Sequence, residues 1–158
     1  MKIFIKKYKV LIMLLFIAVA SGIIIAYSNK FEDYFVELYS CNDDFHYNLI
    51  TFNSVISGFL FSGISILVSL ISNPSIKRLW DNGYLDGLYR SGEIGIIMSV
   101  ISIIMAFVTV LKIIEIDSTE FIRIWTIFEI TSAMGSLILF LYCVEELMFS
   151  IKTLRKHK

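Results

Sequence analysis

Four long apolar runs decide what this chain can fold into: Val10–Tyr27, Leu49–Ile71, Ile94–Leu111 and Ile124–Val144. Each has 18 to 23 residues, and about 20 helical residues cross the hydrocarbon core of a bilayer. Lipid gives backbone amides no hydrogen-bond partner, so such runs must form helices that satisfy themselves. The expected fold is all-α, a polytopic membrane protein with four transmembrane helices in one bundle. The fourth helix is expected to enter near residue 121. A chain of 158 residues makes one such domain and not two. The 57% hydrophobic content and mean hydropathy of +0.77 suit a protein that is apolar outside as well as inside.

Lysine and arginine placement orients the spans. Lys2, Lys6, Lys7 and Lys9 precede the first run. Lys77, Arg78 and Arg90 separate the second and third, and Lys152, Arg155, Lys156 and Lys158 follow the fourth. Against these eleven stand Lys30, Lys112 and Arg123, with Glu32, Asp33, Glu37, Asp43 and Asp44 in the first loop. Both termini are therefore expected in the cytoplasm, with a short basic tail over 145–158, and the expected location is a bacterial plasma membrane. Ala18-Val19-Ala20 before Ser21 has the form of a signal cleavage site. The run continues apolar through Ile23, Ile24 and Ile25, which favours an uncleaved anchor.

Two loops carry helical patterns of their own. Phe31, Tyr34, Phe35, Leu38 and Tyr39 recur at helical spacing in the first, which predicts an amphipathic helix at the outer membrane surface. In the second, Asn73-Pro74 starts a short helix. Ile76, Leu79 and Trp80 form its apolar face, Gly83 ends it, and Tyr84, Leu85, Leu88 and Tyr89 resume the pattern. Phe35, Tyr39, Trp80 and Tyr84 are the candidate partner-binding surface, and an elbow between two spans is the simpler explanation for the second loop.

Small and polar residues are not scattered. In the second run Thr51, Ser54, Gly58, Ser62, Ser65, Ser69 and Ser72 fall within an arc of about 80°. In the third, Gly92, Gly95, Ser99, Ser102, Ala106 and Thr109 share an arc of about 100°. The fourth aligns Thr126, Glu129, Ser132, Ala133 and Ser136, with Cys143 further along. Such stripes let helices pack closely, or line a wet path between helices. A single four-helix unit has a filled centre, so a path would need several copies.

Glu129 lies about 12 Å into the fourth span at 1.5 Å per residue. A carboxylate at that depth faces the interior and has a partner or a role. Lys112, across a short connection near Asp117–Thr119, is the candidate partner; a protonated, neutral Glu129 and a proton or cation site are the alternatives. Arg123 is expected to snorkel outward.

Several classes of function are excluded. His46 and His157 are the only histidines and are expected on opposite sides, which removes His-based zinc clusters and Ser-His constellations. Cys41 and Cys143, also on opposite sides, cannot form a disulfide within one chain. HExxH, GxSxG, CxxC and glycine-rich phosphate loops are absent from the sequence, so no catalytic, metal or cofactor residues are expected and the chain is not read as an enzyme. No basic-aromatic patch suggests nucleic acid. Four helices with one buried glutamate superficially resemble the small multidrug transporters. Their glutamate belongs to the first span and their loops are shorter, so nothing carries over.

The expected partners are the bilayer and either further copies of the chain or another membrane protein. The leading expectation is a homo-oligomeric effector of the toxin or anti-phage type that conducts ions or perturbs the membrane. The alternatives are a non-conducting accessory or immunity protein and a small cation- or proton-coupled transporter.

Overall fold

The structure is a computed structural model that describes residues 2–41, 43–112 and 118–156. Its elements are six α-helices: α1 Lys2–Tyr27, α2 Glu32–Cys41, α3 Asp43–Ser69, α4 Pro74–Asp81, α5 Asp86–Val110 and α6 Thr119–Lys156. Short 3₁₀ turns, Ser28–Phe31 and Leu70–Ser72, follow α1 and α3. Among the described residues there is no strand. Four helices are long and apolar enough to span a membrane, over Tyr8–Tyr27, Asp44–Ser72, Asp86–Val110 and Thr119–Lys152. His157 and most of the connection between α5 and α6, including Asp117, lie outside the described residues.

Two boundaries differ from the hydropathy pattern. The second spanning helix starts at Asp43, before the apolar run at Leu49, because acidic side chains suit the positive end of a helix dipole. The fourth helix runs on through the basic tail to Lys156. It keeps an inward face there, with Glu146 and Ser150 buried.

The central helices are α5 and α6, which pack along their length; α3 lies against α5, and α1 against α6. Contacts fix the directions. His46 of α3 meets Glu129 of α6, and Asn53 meets Ser136, so α3 and α6 run parallel with two turns between the links. Asn53 also meets Ser102, while Trp125 bonds Thr109 and Cys143 approaches the Leu88 carbonyl, so α5 runs opposite to both. Lys9 of α1 lies 3.4 Å from Glu145 of α6 and over the Tyr142 ring. The first and last helices thus meet at one end, called here the basic end; α2 sits at the other. With both partners largely exposed, the Lys9–Glu145 pair contributes at most about 1 kcal/mol.

Turn chemistry sets the elbow. Asn73 is extended, as a residue before proline prefers, and Pro74 takes the first helical position, where no amide hydrogen is needed. α4 ends when the Tyr84 amide bonds the Leu79 carbonyl and the Gly83 amide bonds that of Trp80. This pattern needs a left-handed residue, supplied by Gly83 at φ +69°. Leu79, Leu85 and Leu88 are buried beneath the elbow.

Glycine also sets how closely α3 and α5 approach. A Cβ on Gly95 would lie 2.8 Å from Leu60 Cδ1 and 3.4 Å from Leu139 Cβ. Leu139 is fully buried in a core with Val10 and Tyr142, so only the leucine tip can give way. Gly95→Ala is expected to cost about 1 kcal/mol or less, and Gly95→Leu about 3 kcal/mol, by overpacking. Detergent unfolding of the two variants measures the difference.

Candidate functional site

The apolar context makes any buried polar group in these helices conspicuous. His46 and Glu129 are both fully buried, and His46 Nδ1 lies 2.9 Å from Glu129 Oε1. Glu129 is held from the opposite side of the helix seam. Ser102 Oγ donates to its backbone carbonyl at 3.3 Å. Asn53 Nδ2 donates to Ser102 Oγ at 3.1 Å and to the Leu49 carbonyl at 2.9 Å. Ser136 Oγ lies 2.8 Å from Asn53 Oδ1. Three helices thus converge on one polar cluster within otherwise hydrocarbon surroundings.

The Glu129 partner is a correction to the expected pairing. Lys112 ends α5 in a left-handed conformation, φ 48°, with its amide bonded to the Thr109 carbonyl, and it is exposed. His46 takes the place because α3 begins upstream of its apolar run and carries the ring inward. Arg123 is half-buried.

Not every atom of the pair is satisfied. Glu129 Oε2, His46 Nε2 and Ser99 Oγ are buried and have no hydrogen-bond partner among the described residues. From α2, the Tyr39 ring stands edge-on to His46 at 6.2 Å. Burial pushes the Tyr39 phenol above its ordinary pKa, and the charge on Glu129 adds to the rise.

The small-residue stripes separate into two groups. On α5, Gly92, Gly95, Ser99, Ser102, Ala106 and Thr109 are all buried, and so are Thr126, Ser132, Ala133 and Ser136 on α6. On α3, Thr51, Ser54, Gly58, Ser62, Ser65 and Ser69 are all exposed, as is Ser72 in the turn that follows. Within one subunit α3 packs instead through Asn53, Ile56 and Leu60. A Cβ on Gly58 would meet nothing within 4 Å. Of the aromatic candidates, Phe35, Tyr39, Trp80 and Tyr84 are half-buried against their own chain, and Trp80 stands edge-on to Tyr89 at 5.9 Å. The freer rings near α2 are Phe31 and Tyr34.

Asn53 and His46 were missed as site residues. Asn53 interrupts the apolar face of α3, and His46 precedes it by seven residues, the same interval that separates Glu129 from Ser136. That matched spacing is the signal that could have paired the helices.

Other parts of the surface hold less. A groove of about 260 Å³ between α3, α5 and α6 is lined by Leu60, Ile64, Leu67, Phe140 and similar side chains, with only the Cys143 thiol to orient a ligand. Among the described residues no group of three or more His, Cys, Asp or Glu could hold a metal ion. The chain matches no known protein family, no characterised protein and no solved structure.

Proposed function

We propose that this chain is an ion-conducting or membrane-perturbing effector that works as a homo-oligomer, with copies meeting around the outer face of α3. The observation that carries this reading is the exposed Ser/Gly stripe of that helix. From Thr51 to Ser69 it runs about 27 Å at 1.5 Å per residue, close to the full hydrocarbon thickness. Bulky side chains flank it, including Phe52, Phe59, Phe61 and Ile66. The Thr51 and Ser69 hydroxyls donate to carbonyls of their own helix. Their remaining lone pairs point to acceptor chemistry, which favours water and cations over anions. Exposed Asp33, Glu37 and Asp44 add negative charge at the α2 end.

Glu129 does not belong to this path, since it is sealed inside the subunit with His46. Purified protein in liposomes is expected to pass potassium in preference to chloride. Gly58→Leu combined with Ser62→Leu, which fill the stripe without touching the subunit core, should cut that flux at least tenfold. Equal flux from the filled and native proteins would overturn the reading.

The sealed His46–Glu129 pair favours a second reading, a non-conducting accessory or immunity protein, because the deep acid then serves the subunit alone. Under that reading the protein leaves vesicles tight and is recovered from mild detergent with a stoichiometric membrane partner. Recovery of self-associated copies alone would count against it.

A further inference from the structure

We propose that the His46–Glu129 cluster is a proton-binding site loaded from the α2 end, whose occupancy decides whether α2 and the start of α3 stay docked on α6. The site is independent of the α3 outer face and stands whether or not the oligomer conducts.

The argument begins with charge. The 2.9 Å Nδ1–Oε1 contact needs one hydrogen between the two atoms. With one exchangeable proton shared across carboxylate and imidazole in addition to the ring's own N–H, the pair is net neutral. A fully buried site tolerates that state far better than a net charge. A second proton, delivered from hydronium in the bulk, is taken by Glu129 Oε2 while Oε1 still accepts from Nδ1–H. The pair then carries a net positive charge, which full burial penalises. Water must enter or the helices must part. The unpartnered Glu129 Oε2 is the atom that takes the proton and can accept from water, and the unpartnered His46 Nε2–H can donate to water.

Access is one-sided. Beyond Ser136 the seam is closed by Leu60, Gly95 and Leu139 in direct contact range, with Leu139 fully buried. The next buried polar groups, Ser91 and Glu146, lie past this apolar layer toward the basic end. With the basic side closed, the α2 side, covered by the half-buried Tyr39, is the route left to protons, and the cluster acts as a sensor and not a conduit.

Among the described residues the other titratable groups around it are few. From α2 comes Tyr39, edge-on to His46. On α3, Asp44 and Tyr47 are exposed. On α6, Arg123 is half-buried about 9 Å along the axis from Glu129, and Glu120 is exposed. α5 brings only the hydroxyls of Ser99, Ser102 and Thr109 to this level, with Lys112 exposed at its end. Tyr27 and Lys30, at the end of α1 and just after it, are exposed.

Hydrogen–deuterium exchange of the full chain in nanodiscs tests this, after correction for the intrinsic pH dependence of exchange. Acidification from pH 7.5 to 4.5 is expected to raise exchange at least tenfold in residues 33–39 and 44–50, with α5 residues 92–102 unchanged. In Glu129→Gln the site keeps its hydrogen bond without the acid, and the response at 33–50 should fall below twofold. Should that variant fail to fold, nitrogen-15 spectra of the native His46 ring, in a His157→Ala background, supply the second measurement. The ring signal is expected to shift over the same pH range as the exchange change. A response in Glu129→Gln equal to the native one, or a His46 signal constant from pH 4.5 to 7.5, overturns the proposal. Acid-dependent proton leak through vesicles that Glu129→Gln abolishes would overturn its one-sided form.

Discussion

His46→Leu is expected to destabilise the fold by about 3–5 kcal/mol, the penalty for stripping a buried ion-pairing group of its partner. The contact lies at full burial on both sides, so bulk solvent cannot take over from the imidazole unless the helices part. Glu129→Gln should be far milder, about 1 kcal/mol, because the amide oxygen can still accept from Nδ1 and no charge is left behind. The telling comparison is the double replacement, His46→Leu with Glu129→Met. Exchanging a buried polar pair for apolar groups of similar volume is often neutral or stabilising. The double variant should therefore recover most of what His46→Leu loses, giving a coupling energy of several kcal/mol in a double-mutant cycle. Unfolding in mixed micelles supplies the numbers. A double variant as weak as the sum of the His46→Leu and Glu129→Met singles would mean that the two residues act apart.

The second large effect concerns the outside of the molecule. Ser62→Cys and Ser65→Cys sit on the exposed face of α3, whereas Ser99→Cys lies in the closed α5–α6 seam with no exposed surface. If copies meet along α3, oxidation in membranes should cross-link both α3 variants to near completion. Ser99→Cys should remain monomeric, a difference of at least tenfold in dimer yield. Native Cys41 and Cys143 are replaced by serine in every variant so that only the introduced thiol reports. Gly58→Leu added to Ser62→Cys should abolish cross-linking, because nothing within the subunit opposes the larger side chain while a neighbouring helix would. Equal yields from all three positions would place the contact elsewhere.

The four spanning helices were legible because hydropathy over 18 or more residues has few competing explanations. The inward faces of α5 and α6 were also legible in outline, since small residues on one face permit close approach. The orientation of α3 was not. A helical wheel shows that Ser54, Gly58, Ser62 and Ser65 share a face, but the same pattern arises whether that face meets a sister helix in the chain or looks away. Asn53 decides the matter within the subunit, and one amide among apolar neighbours is a faint signal. His46 was hidden for a different reason. It precedes the apolar run, and the helix dipole and the acids at Asp43 and Asp44 extend α3 past the hydropathy edge. Lys112 looked nearer to Glu129 in sequence, but it is exposed beyond the end of α5 while His46 fills the place beside the acid.

The separation of 83 residues between His46 and Glu129, repeated between Asn53 and Ser136, bears on how the protein is made. A ribosome delivers helices in chain order. If the helices enter a membrane in that order, α3 and α5 precede α6 and bring His46, Asn53 and Ser102 ahead of Glu129. The helix that inserts least willingly on its own, because of its acid, thus arrives last, and its docking site precedes it. A rearranged gene that encoded α6 ahead of α3 would specify the same contacts, yet would ask Glu129 to enter the bilayer before any of its partners existed.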